Sequence, residues 1–330
     1  MVSDGGQPAT VVPDLGWPER RRDDVPRGTS PIGWPAGIDP TGRMPAVDPP
    51  APPAGLTLPA PDRTRVVAVT NQKGGVGKTT TAVNVAAALA QGGRRVLVVD
   101  LDPQGNASTA LSIEHAEGTP GVYEVIVGGA AISDVVRASP EIEGLSVVPA
   151  SIDLAGAEVD LVSLVARESR LNRALTAYLA EQEDSDQRVD YVFVDCPPSL
   201  GLLTVNALVA GKEILIPIQC EYYALEGVGQ LLRTVDMVRT HLNPDLRVST
   251  IVLTMHDART RLSSGVADEV RAHFPDQVLR TAIPRSVRIS EAPSYGQTVM
   301  TYDASSSGAL SYLEVAREMA ARGVTAGGTP

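Results

Sequence analysis

Cysteine is scarce in this sequence, and histidine forms no useful pattern. The 330 residues include two cysteines, Cys196 and Cys220, and four histidines. The cysteines make no metal-type pair and the histidines show no ligand spacing, so we expect a reducing compartment and neither a zinc nor an iron–sulfur site. Long apolar runs are also missing: no segment approaches the roughly 18 residues of a membrane span, and the N-terminus lacks the short apolar core that we would expect of a signal peptide. We therefore expect a cytoplasmic protein.

Lysine is the other scarce residue. Lys and Arg together number 28, but only three are lysine, and two of those, Lys73 and Lys78, fall within one loop. Lysine suits a phosphate as a compact charge on a flexible stem, so its retention in an arginine-rich chain indicates a phosphate site. The net charge of −11 argues against a surface that coats DNA. Any nucleic-acid contact therefore requires a local basic patch.

The loop that holds both lysines, residues 71–80, lies between an apolar β-branched run and a helix-forming segment. This strand–loop–helix order places backbone N–H groups and a helix N-terminus toward an anion, and small residues let a phosphate approach. Lys78 is then predicted to reach the β- and γ-phosphates of a nucleotide, and the Thr79 hydroxyl to ligate Mg²⁺. The alternative is a glycine-rich turn whose lysines are only solvated.

One position departs from the usual phosphate-loop pattern, because Gln72 stands where a glycine is expected and Lys73 follows it. In this respect the loop resembles the deviant Walker A loop. That resemblance implies that Lys73 reaches across a dimer interface to the nucleotide of the partner subunit.

Two further segments end apolar strands in acidic residues. Asp100 and Asp102 follow one such run, and Asp195 ends another. Ligands bind at the carboxyl ends of parallel strands in this class of fold, and nucleotide hydrolysis needs a group that positions water and groups that hold the metal shell. We predict that Asp102 positions the water and that Asp100 and Asp195 serve the metal. The alternative for each is an acidic turn at a strand end.

Apolar runs alternate with helical stretches from residue 65 onward, which predicts a single-domain, doubly wound α/β fold. We expect a mostly parallel sheet with helices on both faces, in a P-loop ATPase domain over residues 64–323. The predicted strands are 66–70, 95–101, 145–148, 191–195, 213–218, 247–254 and 278–283. The predicted helices are 79–91, 155–181, 200–209, 224–241, 265–273 and 308–321. Residues 324–330 are expected to fray.

Residues 1–63 hold 14 of the 26 prolines and few aliphatic runs, which predicts a disordered tail. The tail contains the tripeptide Gly-Trp-Pro twice, at 16–18 and 33–35. The repeat is either a coincidence in proline-rich sequence or a docking motif for a polar or scaffold partner.

Five segments together closely resemble the ParA/Soj chromosome-partitioning ATPases: 73–80, 100–108, 195–199, 219–227 and 283–293. The resemblance covers about 65–322. The loop with Lys73 is shared more widely, for example with the division-site ATPase MinD, whereas the last two runs are particular to ParA/Soj. The resemblance implies nucleotide contacts from Lys73, Gly74, Gly75, Val76, Gly77, Lys78, Thr79, Thr80, Pro284 and Arg285.

The same resemblance implies a functional cycle. ATP and Mg²⁺ drive two subunits into a nucleotide-sandwich homodimer, with Lys73, Lys78 and Asp102 in catalytic roles. The dimer binds double-stranded DNA without sequence preference, and the protein is nucleoid-associated. A ParB-type centromere-binding partner stimulates the slow hydrolysis and releases the subunits.

The DNA contacts that the resemblance implies are Arg259 and Arg288, with Arg261 and Arg285 as helpers. Residues 258–290 hold six arginines against three acidic residues, a local charge of +3. The alternative is that these arginines are ordinary solvated positions.

Two rival classes of protein share the loop. A membrane-associated positioning ATPase of the MinD type needs a basic amphipathic helix at the C-terminus, but residues 312–322 carry two Arg against two Glu. A metal-cluster carrier needs cysteines at a dimer interface, and Cys196 and Cys220 offer no such pattern. Neither rival is favoured.

Overall fold

The computed structural model describes residues 56–222 and 224–325. The Gly-Trp-Pro repeats, the predicted tail up to residue 55 and residues 326–330 lie outside the described part. Within the described ranges, no helix is long and apolar enough to cross a membrane.

The sheet has seven strands in the order β3-β4-β2-β5-β1-β6-β7. The strands are β1 (Arg65–Val69), β2 (Val96–Asp100), β3 (Arg137–Ala138), β4 (Leu145–Val148), β5 (Tyr191–Asp195), β6 (Glu213–Gln219) and β7 (Arg247–Thr254). Every pair is parallel except β3 with β4. The predicted doubly wound, mostly parallel α/β fold is confirmed.

Eleven α-helices occur in the described ranges. They are α1 (Lys78–Gln91), α2 (Asn106–Ala110), α3 (Ile132–Val135), α4 (Ala157–Val162), α5 (Arg170–Asp184), α6 (Leu202–Ala210), α7 (Glu226–His241), α8 (Arg261–His273), α9 (Val287–Glu291), α10 (Val299–Tyr302) and α11 (Ser307–Thr325). A π-helix spans Glu124–Gly128, and 3₁₀ turns span Ile152–Gly156, Arg167–Ser169 and Ala292–Tyr295. The short elements between the long helices are the ones that the sequence pattern did not predict.

Helices cover both faces of the sheet, and each face has its own apolar layer. All residues of β1, β2 and β5 are buried, as expected for central parallel strands enclosed on both sides. On one face α1 packs against α11, and Tyr312 and Met319 of α11 are almost fully buried there. The central strands are thereby held rigidly beneath the loops that follow them.

The predicted strand 278–283 is wrong. This segment makes only isolated bridges, between Val278 and Ile251 and between Pro284 and His256. The Leu279 and Ile283 N–H groups donate to β7, but between them the N–H groups of Arg280 and Thr281 donate to the Glu318 carboxylate at 2.9 and 2.8 Å. Glu318 of α11 therefore takes the Thr281 hydrogen bond that a continuous parallel strand would have given to β7.

The predicted helix 155–181 is also wrong as one element. The structure divides it into α4 and α5 with an irregular connection between them. Ala166 in that connection adopts φ 52°, a left-handed conformation that interrupts an α-helix. Asn206 of α6 donates from its side-chain amide to the carbonyl of Arg167 at 2.8 Å, so the break is held by a hydrogen bond from a distant helix.

The folded domain begins before the predicted boundary at residue 64. Leu58 is 3% exposed, and its N–H donates to the Gly92 carbonyl at 2.9 Å. The space beside Gly92 is filled by the Leu58 side chain, which would lie 2.6 Å from a Cβ atom at that glycine. Residues 56–63 therefore cannot be assigned to a disordered tail.

A buried ion pair joins the amino ends of β1 and β6. Arg65 donates to both carboxylate oxygens of Glu213 at 2.9 and 2.7 Å, and also to the Met319 carbonyl at 2.6 Å. Burial alone would raise the pKa of Glu213, but the hydrogen bonds and charge of Arg65 outweigh it and hold the pKa below its usual 4.5. The pair thus links the first strand to a neighbouring strand and to the last helix.

Glu213→Ala is expected to lower the free energy of unfolding by about 3–5 kcal/mol, because it leaves the buried Arg65 guanidinium without its carboxylate. Urea denaturation at pH 7 measures this loss. Arg247→Ala is the control: Arg247 also contacts Glu213, at 3.6 Å, but its side chain is 52% exposed. We expect that variant to lose less than about 1 kcal/mol.

The pair also has a defined pH dependence. Because the folded-state pKa of Glu213 is lowered, the contribution of the pair is present above about pH 4.5 and is lost as the pH falls through the folded-state pKa. Glu213→Gln should flatten that part of the stability profile. Equal acid sensitivity in the parent and Glu213→Gln proteins would contradict the assignment.

Candidate functional site

The loop between β1 and α1 has the backbone of a phosphate cradle. Gly75 and Gly77 have φ values of 73° and 89°, which side-chain-bearing residues rarely adopt. A Cβ atom at Gly74 or Gly75 would meet nothing within 4 Å, so these glycines face open space. Gly77 caps the 14-residue helix α1, whose N-terminal N–H groups point into that space. The loop is therefore built to accept an anion.

Lys78 lies at the base of this cradle and is 8% exposed. Its Nζ donates to the Lys73 carbonyl at 3.3 Å, so it curls back along the loop. Burial lowers the pKa of Lys78, while the nearby Asp195 and Asp102 carboxylates act in the opposite direction. An ammonium in this position has an electrostatic preference for an added negative charge.

Lys73 lies on the outer side of the same loop and about one third of its side chain is exposed. Its backbone N–H donates to the Asn71 side chain at 3.0 Å, and Asn71 in turn donates to the Pro217 carbonyl of β6 at 2.8 Å. Its Nζ lies 3.7 Å from the Glu221 carboxylate. The two lysines of the loop thus occupy different environments, one inside the cradle and one at its rim.

The predicted acidic residues meet at the carboxyl edge of the sheet. β2 and β5 are paired in a register that sets Asp100 beside Asp195, and β5 pairs with β1 so that Asp195 lies beside Val69, where the loop begins. This register alone brings the ends of the three strands into one site.

Asp195 is fully buried, and neither of its carboxylate oxygens has a hydrogen-bond partner of normal geometry in the described part of the chain. Burial and the charge of Asp100 raise its pKa well above the usual value, whereas Thr79 and Lys78 act to lower it. A buried carboxylate without partners is costly unless a cation or donor satisfies it. Asp195 and Thr79 therefore fit the shell of a hydrated Mg²⁺.

Asp100 is equally buried, but both of its carboxylate oxygens accept hydrogen bonds from the protein. One oxygen accepts from the N–H and hydroxyl of Ser108 at 2.9 and 2.8 Å, and the other accepts from the Asp102 N–H at 3.2 Å. Burial raises the pKa of Asp100 to about 6, against the lowering effect of the Ser108 hydrogen bonds. These contacts suit a residue that positions α2 and the Asp102 turn better than a metal ligand.

Asp102 begins a tight turn that leads into α2. Its Oδ1 accepts from the Gln104 N–H at 3.0 Å, and its carbonyl accepts from the Gly105 N–H at 2.9 Å. Gly105 has φ 63°, and the His115 ring occupies the space beside it. The Asp102 carboxylate is thus held in place next to the cradle by the backbone of its own turn.

A cavity of about 220 Å³ adjoins the loop on the side of Gly77 and Thr80. Pro284 and Arg285 contribute to its wall, together with Met255 and Tyr312. Pro284 and Arg285, which the family resemblance predicts to contact the nucleotide, therefore lie next to the phosphate loop, although about 200 positions separate them from it in the sequence.

The four candidate DNA-contacting arginines lie on two neighbouring segments. Arg259 and Arg261 follow β7, while Arg285 and Arg288 lie on the segment that runs alongside it. Hydrogen bonds of 2.9 Å from the His256 N–H to Ile283 and of 3.2 Å from the Arg285 N–H to His256 join the two segments. The Arg259, Arg285 and Arg288 side chains are more than half exposed. The residues are thus brought together on one exposed region.

Sequence reasoning did not assign a role to Ser108 or Glu221, although both fall within the runs that carried the family resemblance. Ser108 fixes Asp100, and Glu221 contacts Lys73 and Arg285, the latter at 3.4 Å. The sequence did offer a signal for each residue. Ser108 is a polar residue that follows the strand-end Asp100 by eight positions, and Glu221 comes soon after the end of β6.

Among the described residues, no group of three or more His, Cys, Asp or Glu side chains is arranged to hold a metal by itself. Cys196 and Cys220 are both buried and unpaired, and burial raises the pKa of each thiol. A cation at this edge therefore depends on Asp195, Thr79 and the oxygens of a bound anion. That dependence is typical of Mg²⁺ bound together with a nucleotide.

Comparison with known proteins gives consistent matches. Residues 64–248 match a family model described as an AAA domain. The sporulation initiation inhibitor protein Soj of Bacillus subtilis (strain 168) is 53% identical over 259 residues, which cover 78% of this chain and 99% of Soj. The chromosome partitioning protein ParA of Myxococcus xanthus (strain DK1622) is 49% identical over 258 residues, covering 78% and 88%.

A solved structure also matches. It is the cobyrinic acid a,c-diamide synthase from Mycobacterium smegmatis with bound ATP analog and magnesium, which is 41% identical with a TM-score of 0.66. The match covers 78% of this chain and 94% of that chain. The shared fold and identity extend over nearly all of the described residues.

Asp195→Asn is expected to raise the melting temperature of the protein in the absence of nucleotide and divalent cation, because it removes a carboxyl group whose ionised form is disfavoured by burial and by the charge of Asp100. A gain of roughly 1 kcal/mol corresponds to about 2–4 °C for a domain of this size. Thermal denaturation in the presence of a chelator measures it.

Asp100→Asn is the matched control at the neighbouring strand end. Its carboxylate accepts three hydrogen bonds from Asp102 and Ser108. In asparagine, the side-chain NH₂ would face at least one of these donors, and that hydrogen bond would be lost. We expect that variant to melt at a lower temperature. If the two variants shifted the melting temperature in the same direction, the distinction between the two aspartates would be wrong.

Proposed function

Because this chain belongs to the Soj/ParA family of chromosome-partitioning ATPases, we propose that it binds and hydrolyses ATP to segregate DNA. One observation carries the proposal. The phosphate loop, with one lysine inside it and one at its rim, lies against Asp102 and Asp195 at the ends of β2 and β5. A site so arranged binds a nucleotide, supplies a position for water and leaves one charge available for a second subunit.

Nucleotide binding is assigned to the loop residues 73–80 and to the adjoining cavity. The N–H groups of the loop and of the α1 N-terminus hold the phosphates, and Lys78 neutralises them from inside the cradle. Pro284 and Arg285 border the base. Thr79 and Asp195 hold Mg²⁺, which neutralises phosphate charge when bound.

Hydrolysis is assigned to Asp102, which orients water toward the γ-phosphate. The Asp102 carboxylate lies near enough to Lys78 to stabilise the charged form of that ammonium, so the two groups face the same space. Asp100 supports it from behind, since it accepts the Asp102 N–H and the two Ser108 donors. We therefore assign Asp100 a positioning role, in place of the metal role predicted from sequence.

Homodimer formation is assigned to Lys73. Its side chain lies at the rim of the loop, and its nearest charged group is Glu221 rather than the cradle that holds Lys78. A lysine in this position is available to the phosphates of a second subunit. ATP, with more negative charge at that rim than ADP, then favours the dimer.

DNA binding is assigned to the dimer through Arg259 and Arg288, with Arg261 and Arg285 beside them. The exposed arginines contact phosphates without reading bases, which suits sequence-independent binding. A ParB-type partner stimulates the slow hydrolysis and ends the DNA-bound state, so the protein moves between the nucleoid and the cytoplasm.

Two other activities have less support. A MinD-type membrane anchor needs an unpartnered amphipathic helix, but the apolar face of α11 is buried against α1 through Tyr312, Val315 and Met319. An amide synthase that uses a cysteine nucleophile needs a reactive thiolate. Both cysteines here are buried, with raised thiol pKa values.

The first test measures binding of the protein to a random-sequence DNA duplex by fluorescence anisotropy, once with ATP and once with ADP. We expect tight binding only with ATP, loss of binding in Lys73→Ala, and retained or prolonged binding in Asp102→Ala. Lys212→Ala is the control, because Lys212 is the third lysine and lies exposed at the opposite edge of the sheet. Equal DNA binding with ADP and ATP, or unchanged DNA binding by the Lys73→Ala protein, would contradict the proposal.

The second test concerns the DNA surface. Arg259→Ala combined with Arg288→Ala should reduce the magnitude of the slope of log K against log salt by about 0.9 for each phosphate that the variant no longer neutralises, with ATP binding unchanged. Arg173→Ala combined with Arg239→Ala is the charge-matched control on α5 and α7, two exposed positions away from this region. An unchanged slope and affinity in the first double variant would show that DNA is bound elsewhere.

A further inference from the structure

Three of the four candidate DNA-contacting arginines are already paired with carboxylates of the same chain. Arg259 pairs with Asp257, Arg285 with Glu221, and Arg288 with Glu291 and Asp303. A DNA phosphate can reach these guanidinium groups only by replacing or sharing those carboxylates. The pairs therefore bear directly on affinity.

The Asp257–Arg259 pair has the best geometry of the three. Arg259 donates from Nε to Oδ1 and from Nη2 to Oδ2, both at 2.9 Å, so the planar guanidinium grips both oxygens. Its backbone N–H adds a third hydrogen bond to Oδ1 at 3.1 Å. By contrast, Arg288 is divided between two carboxylates at 3.2 and 3.4 Å. A single carboxylate thus accepts two parallel hydrogen bonds from the Arg259 guanidinium, which is bidentate geometry.

Asp257 is also held in position by the backbone around it. Its N–H donates to the Ser263 hydroxyl at 3.0 Å, and its carbonyl accepts from the Thr260 N–H at 3.0 Å. Its side chain is 26% exposed, whereas that of Arg259 is 89% exposed. The acid is thus fixed to the protein while the arginine extends into solvent, where a phosphate would meet it.

The carboxylate stays charged at any physiological pH. The hydrogen bonds from the Arg259 side chain hold the pKa of Asp257 at about 2. Protonation therefore does not release the arginine. A competing anion must displace it, and phosphate matches the guanidinium fork in the same bidentate manner as carboxylate.

We propose that Asp257 is a built-in competitor for DNA phosphate at Arg259 and thereby lowers the affinity of this surface for DNA. The inference rests on the proposed function, because it concerns the same DNA surface. An internal competitor keeps the contact weak enough to break when the dimer separates. It also favours a polyanion with closely spaced phosphates over isolated anions, because one phosphate gains little by the exchange.

The test is Asp257→Asn in the full chain with ATP and a random-sequence duplex. Asparagine keeps an oxygen acceptor for the Arg259 N–H, so the turn is retained while the charge is removed. We expect about threefold to tenfold tighter binding, the range that an exposed ion pair and the relief of repulsion together supply. A melting temperature equal to that of the parent shows that the loop is still folded.

Two controls separate competition from a general charge effect. Asp268→Asn changes the net charge by the same amount. However, the Asp268 carboxylate lies 3.8 Å from Arg271, a longer separation than in the Asp257–Arg259 pair, and its side chain is 81% exposed. We expect it to change the affinity less than about twofold, as is usual for a loosely paired surface charge. In an Arg259→Ala background, the gain from Asp257→Asn should fall to the level of Asp268→Asn.

The outcomes are distinct. A gain in Asp257→Asn no larger than that in Asp268→Asn, or one that persists without Arg259, overturns the competitor role while leaving the proposed function intact. Parent protein that binds no DNA with ATP overturns the proposed function and this inference together. A gain that depends on Arg259 supports the role.

Discussion

The parallel register of β2, β5 and β1 is the constraint on which the site depends. It sets Asp100 beside Asp195 and Asp195 beside the start of the phosphate loop. Because these strands are buried on both faces, a slip of the register would move apolar residues as well as acidic ones. The energy of the core therefore holds the carboxylates next to one another, although each is costly to bury alone. The fold tolerates this cost at the edge where a ligand with compensating groups binds.

The charged side chains of the site fall into two groups. Some have hydrogen-bond partners within the protein, and others have polar groups that remain for a ligand. Asp100 receives three protein hydrogen bonds, whereas Asp195 receives none of normal geometry in the described part of the chain. Lys78 is turned inward along the loop, whereas Lys73 lies at its rim. Each pair contains two residues of one type in different environments. The different roles proposed for them rest on those environments and not on the residue types.

Sequence patterns predicted the strands that end at the site and the position of the loop before α1, because these depend on local order: a buried run, then glycines, then a helix. They failed where a distant side chain decides the outcome. Glu318 takes the N–H groups of Arg280 and Thr281, and Asn206 holds the break after α4. Asp100 and Asp195 each end an apolar run, so only the position of Ser108 in the folded chain distinguishes them. The proximity of Pro284 to the loop was predicted only through the family resemblance, because no local pattern links residues so far apart in the sequence.

The contact between Arg65 and the Met319 carbonyl joins the start of the first strand to the last helix. A Cβ atom at Gly323 would lie 3.0 Å from the Arg65 guanidinium and 3.7 Å from Pro61, so the two ends of the domain meet. They meet at the amino edge of the sheet, opposite the edge that carries the site. A short linker could therefore join them, and the domain is a suitable candidate for circular permutation with new termini in an exposed loop.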